Sequence, residues 1–264
     1  MEADALRVPA SSRCSFLFRR LHSLSGIFPV GIFLVSHLFT NAKALKGQLF
    51  FDRAVADINH LPFLPLIEIF GIFVPLAFHA LYGVKLAFDG RVNVARYPYT
   101  RNVLYTLQRA TGLLAFLFIA WHLWEFRIPK LLGYMSADAF YPTLESHLSS
   151  TYHGFPVLAV VYLVGIGASV FHFANGLFTF CFSWGLCLTR RSQRVFATAF
   201  AALGAVVFVM GAQTALYFAT GAQFPAAADP NSSPTFEQCS VVDPTPRAPS
   251  PPGASSAPLA PPNH

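Results

Sequence analysis

The chain has 264 residues, of which 54% are hydrophobic and only 11% are charged. A water-facing domain carries roughly 25% charged residues, so too few are present to clothe a soluble surface of this size. Net charge is +6, but the basic residues sit in short stretches between apolar blocks, which is the pattern of membrane topology and excludes a nucleic-acid-binding reading.

In chain order, residues 1–18 are expected to form a cytoplasmic N-terminal segment, without the compact n-region and h-region of a cleaved signal peptide. Five apolar blocks follow, at residues 21–42, 65–88, 107–126, 155–188 and 195–219. Each is long enough to cross a bilayer as a helix. The fourth exceeds what a bilayer needs, so it is expected to tilt or to project into water. The expected fold is therefore an all-α membrane protein, with five transmembrane helices within residues 19–220. Residues 221–264 turn to Pro, Ser and Ala, and such a tail cannot bury enough surface to fold. Four cysteines, Cys14, Cys181, Cys187 and Cys239, form no CxxC pair and suggest neither a disulfide framework nor a metal site.

Charge sets the expected orientation. With the N-terminus in the cytoplasm, the inner segments hold twelve of the Lys and Arg residues and the outer segments six. The positive-inside rule selects this arrangement and places the 221–264 tail outside.

Spans one and three share a pattern, Ser25-Gly26 before His37 and Thr111-Gly112 before His122. Spans two and four share another, His79-Ala-Leu-Tyr-Gly83 and His172-Phe-Ala-Asn-Gly176. The chain thus reads as a weakly repeated hairpin with one histidine on each of four helices. A single buried histidine is most often a satisfied core residue. One on each of four spans is harder to explain that way, because ionisable groups within a bilayer are costly.

Paired imidazoles at equal depth in a helix bundle are what bis-histidine haem ligation needs. At 1.5 Å per residue, His37 lies about 25 Å and His122 about 20 Å from the inner surface. By the same rise His79 lies about 21 Å and His172 about 26 Å from the outer surface. His37 with His122 would hold an outer haem iron, and His79 with His172 an inner one. Gly83 and Gly176 follow their histidines by four positions and give a flat porphyrin room on the same face. Gly26 and Thr111 share the face of an outer histidine about three turns away, at the inner level. The plainer explanation of these glycines is close helix packing. Arg20 and Arg109 are expected propionate partners, since guanidinium binds carboxylates bidentately, or else ordinary interfacial anchors. His22 reads equally as an interfacial anchor or as a contact of a propionate, a quinone headgroup or a partner. His60, His147 and His153 are expected in water-facing loops. Glu125 is expected to pair with Arg127 at a helix end.

The stretches Arg19-Arg-Leu-His-Ser-Leu-Ser-Gly26, Val-Ser-His37-Leu, Phe-His-Ala-Leu-Tyr-Gly83, Leu-Gln-Arg-Ala-Thr-Gly112, Trp121-His-Leu-Trp-Glu125, Phe171-His-Phe-Ala-Asn-Gly176 and Arg190-Arg-Ser-Gln-Arg194 resemble one family. It is the di-haem cytochrome b subunit of succinate:quinone oxidoreductases (succinate dehydrogenase and fumarate reductase), of the one-anchor, five-helix type. The resemblance covers residues 13–220. It implies that His37, His79, His122 and His172 are the axial ligands of two haem b groups. It also implies partner subunits carrying FAD and iron–sulfur clusters on the cytoplasmic side, and electron exchange with a membrane quinone, menaquinone in this type. Rival readings are a haem-poor structural anchor, a di-haem cytochrome of another quinone-linked dehydrogenase, and a histidine proton relay. The relay expects more acidic residues within the spans than Glu68 and Glu125.

Overall fold

The structure is a computed structural model, and it describes residues 10–222. Most of the expected N-terminal segment and nearly all of the Pro/Ser/Ala tail lie outside the described residues.

Among the described residues, five stretches are long and apolar enough to cross a membrane: Cys14–Lys46, Leu64–Asp89, Thr100–Leu131, Val157–Ser183 and Arg190–Thr220. They correspond to the five expected spans, with longer ends in most cases. A helix closes its backbone hydrogen bonds within itself, which is why a chain in hydrocarbon adopts it. Phe70 and Leu81 on span two, Leu117 on span three and Val206 on span five are all more than 60% exposed. On a soluble protein such a surface would aggregate; here it is what lipid tails cover.

Span one is interrupted at Pro29, between helices Ala10–Ile27 and Val30–Asn41. Proline supplies no N–H, and its ring clashes with the carbonyl four residues earlier. The break separates the level of Gly26 from that of His37. Helix Ala10–Ile27 starts inside the 1–18 N-terminal segment.

Span four corrects the sequence reading. Residues 184–188 are mostly apolar and were counted with the helix, but the helix ends at Ser183. Gly185 takes φ +75°. The Leu186 N–H then donates to the Cys181 carbonyl at 2.8 Å, and the Gly185 N–H to the Phe182 carbonyl at 3.3 Å. This glycine-terminated turn satisfies the last carbonyls and stops the helix. The span is shorter than the apolar block, but at 27 residues it still exceeds the roughly 20 that cross a bilayer, so the expected tilt or projection stands. Span five begins at a capping box: the Thr189 hydroxyl accepts from the Ser192 N–H, and the Ser192 hydroxyl from the Thr189 N–H.

Two helices that the sequence reading left as loops, Gln48–Asn59 and Phe140–Ser149, lie at one end of the molecule, hereafter the capped end. Each is amphipathic and too short to cross a bilayer. Phe51 from the first meets the rings of Tyr141 and Phe218 edge-on. Leu144 and Leu148 join the same buried cluster with Tyr217 and Phe218 of span five. The opposite, open end carries the connections 90–99 and 184–189, where Arg101 donates to the Gln193 side chain at 2.7 Å.

Spans one to four close a ring: one packs on two, two on three, three on four, and four on one. Span five packs outside it, against span four and the second half of span one. The four histidine-bearing helices therefore enclose a common interior.

Candidate functional site

Each histidine faces its expected partner across the ring. The imidazole centres of His79 and His172 are 6.0 Å apart, and those of His37 and His122 are 5.9 Å apart. Two imidazole nitrogens each about 2.0 Å from a shared metal ion place the ring centres roughly 6 Å apart. On span one, the level of His22 and Gly26 is several turns from that of His37, so the two pairs occupy separate depths.

Hydrogen bonds fix which ring nitrogen is bare. The His79 Nδ1–H donates to the His22 carbonyl at 2.9 Å, and the His172 Nδ1–H to the Gln108 carbonyl at 3.0 Å. A carbonyl only accepts, so in both rings the proton is on Nδ1 and the lone pair on Nε2. The Tyr162 hydroxyl donates to the Glu125 carboxylate at 2.9 Å. Its oxygen therefore accepts from His122 Nδ1, 3.3 Å away. The Asn41 amide nitrogen, 3.3 Å from His37 Nε2 and donating to the His37 carbonyl, can only donate, so this Nε2 is also unprotonated. Three of the rings, His79, His172 and His122, are thus held through Nδ1 with Nε2 free, the arrangement metal-ligating histidines use, whereas the ring of His37 is met at Nε2 itself by the Asn41 amide.

The sequence repeat has a structural counterpart. A Cβ on Gly26 would strike the ring of His79, and one on Gly112 would lie 2.8 Å from His172 Cε1. In each case the residue four before the glycine, His22 or Gln108, offers the carbonyl that accepts from that same histidine. The side chain of that residue lies over the glycine four after the histidine: His22 Cε1 would be 2.9 Å from a Gly83 Cβ, and Gln108 Nε2 3.5 Å from a Gly176 Cβ. Gly26 and Gly112 thus admit the two rings of one pair. Gly83 leaves room for His22, and Gly176 has room for a methyl group. Gly112 takes the place expected of Thr111, whose hydroxyl bonds back to the Leu107 carbonyl at 2.7 Å.

His22 is no interfacial anchor. Its ring stacks on His79 at 4.1 Å, nearly parallel, and its Nδ1 is buried without a partner. The Arg20 guanidinium lies between the rings of Phe16 and Trp184. Arg109 stacks on Tyr105 at 3.4 Å beside Gly90, and its Nε is buried and unpartnered. Neither arginine meets a carboxylate among the described residues. His60 and His153 are exposed as expected.

Two expectations fail at the capped end. Glu125 does not pair with Arg127: residues two apart on a helix point to different faces. Arg127 instead reaches span two and binds Glu68 at 2.6 Å. Nor does His147 lie in a water-facing loop: it sits on helix Phe140–Ser149, with its Nδ1 2.5 Å from Glu125 Oε1. Glu68 and Glu125 both sit in π-helical turns, Ile67–Phe73 and Leu123–Arg127, a local widening frequent at functional sites. Sequence reasoning missed Tyr162, Gln108 and His147. Tyr162 and Gln108 had a signal, since a polar side chain within an apolar span must find a partner.

Among the described residues no three His, Cys, Asp or Glu side chains gather as a metal site. Two facing donors per level suit a macrocycle that brings its own in-plane nitrogens, so the residues present fit haem. No family model matches the chain, and no solved structure matches it significantly. Over 185 residues, covering 70% of this chain and 88% of the relative, it is 44% identical to the succinate dehydrogenase cytochrome b558 subunit of Bacillus subtilis (strain 168). A ring of four histidine-bearing spans and this degree of identity lead to one conclusion: the chain belongs to the succinate dehydrogenase cytochrome b558 subunit family, the membrane anchors of succinate:quinone oxidoreductases.

Proposed function

We propose that the chain binds two haem b groups, one between His79 and His172 and one between His37 and His122. Through them it carries electrons between an iron–sulfur partner subunit and a membrane quinone, menaquinone by the resemblance. The observation that carries this reading is the two facing histidine pairs, at separate levels within a closed helix ring, with Nδ1 engaged and Nε2 left free on His79, His172 and His122. Haem, when bound, supplies one-electron redox chemistry. The chain supplies ligation, orientation and a dry interior. Nδ1 hydrogen bonds hold the imidazole planes of His79, His122 and His172, and Gly26 and Gly112 admit two of the rings.

Arg109, with its unpaired buried Nε, is the first candidate for an inner propionate. Arg20 is the second, its N–H edges still available between two rings. The open end, rich in arginine, faces the cytoplasm and receives the FAD-containing flavoprotein and the iron–sulfur subunit. The capped end faces outward.

Reduced-minus-oxidised spectra of the complex, purified in mild detergent, test this. Two b-type components at two haems per chain are expected. Changing His37 or His122 to alanine should remove one component, and changing His79 or His172 the other. A complex without haem would make the chain a structural anchor only.

A further inference from the structure

Behind His122 runs a polar chain with no equivalent at the other pair. His122 Nδ1 meets the Tyr162 hydroxyl at 3.3 Å, that hydroxyl donates to Glu125 Oε2 at 2.9 Å, and Glu125 Oε1 is held by His147 Nδ1 at 2.5 Å. The Glu125 side chain is only 11% exposed, and Tyr162 is buried. Tyr162 is also clamped edge-on by the rings of Phe118, Trp121 and His122. At the other pair, His79 and His172 end on neutral backbone carbonyls.

We propose that Tyr162 and Glu125 are positioning residues that set the redox potential of the haem held by His122, by joining a buried carboxylate to its axial ligand through one phenol. The inference rests on the haem reading above. A carboxylate behind an imidazole raises its basicity and favours the more positive, oxidised metal. Burial in low dielectric strengthens that influence. His147 fixes the rotamer of Glu125, so the carboxylate cannot swing out to water and break the link.

The test is a potentiometric titration of the two b-type components in wild-type, Glu125→Gln and Tyr162→Phe complexes. The His122 component is identified beforehand by its absence in His122→Ala. Glu125→Gln should favour reduction of that component by about tenfold or more, a rise of about 59 mV for one electron. The other component should stay in place. Tyr162→Phe removes only one oxygen; it should shift the same component the same way, and the double variant should shift it no further than the larger single change. If Glu125→Gln assembles without haem, Tyr162→Phe alone decides. Unmoved potentials, or a shift confined to the His79–His172 component, would overturn the proposal. A wild-type complex lacking haem would instead sink the haem reading itself.

Discussion

At the scale of single residues, the site depends on the absence of side chains as much as on their presence. Gly26 and Gly112 lie where the rings of His79 and His172 pass. Gly26→Ala should therefore displace His79 and reduce the haem content of that pair, while leaving the component held by His37 and His122. Difference spectra at matched protein concentration would show it; two intact components would mean that the ring can move aside at no cost. The histidines and the repeat of glycines around them were legible in the sequence because both follow helical spacing. The partners of Nδ1 were not. A backbone carbonyl on a neighbouring span, such as that of His22 or Gln108, leaves no mark in composition. Tyr162 was visible as a polar group in an apolar span, but its place between His122 and Glu125 depends on how spans three and four face each other.

At the scale of elements, the helices Gln48–Asn59 and Phe140–Ser149 hold the capped end together. Leu148 is 1% exposed and packs in the cluster with Phe51, Tyr141 and Phe218. Leu148→Ala should cost about 2–5 kcal/mol, the usual cost of a cavity in a closed core. Thermal unfolding of the detergent-solubilised protein measures it, and a midpoint matching wild type would show that the cap contributes little. Because His147 precedes Leu148 on this helix, the same element that closes the core also carries the residue that grips Glu125. Sequence reading passed over both helices. They are short, and their apolar faces are matched to span five, a surface that exists only once the spans have packed.

At the scale of the whole molecule, four spans close a ring and the fifth braces it from outside. The proposed orientation rests on loop charge and can be checked directly. A cysteine introduced at Asn93, exposed in the open-end connection, should react with an impermeant maleimide only after the inner face of the membrane is opened. One at Ser150, exposed at the capped end, should react in intact cells. The wild-type chain, labelled in parallel, gives the background. The reverse pattern would invert the molecule and place the partner subunits at the capped end.

The sequence by itself determined the solvent and the five spans, and it singled out four histidines, one on each of four spans, and sorted them into two facing pairs. These depend on local quantities: apolar length, the 1.5 Å rise and the sign of loop charge. The tertiary structure decided where span four stops, that Arg127 binds Glu68 and leaves Glu125 to His147 and Tyr162, and that His22 stacks on His79. The physical reason is one of range. A helix fixes which residues share a face, but only packing of one span against another brings a buried polar group to the partner that must satisfy it.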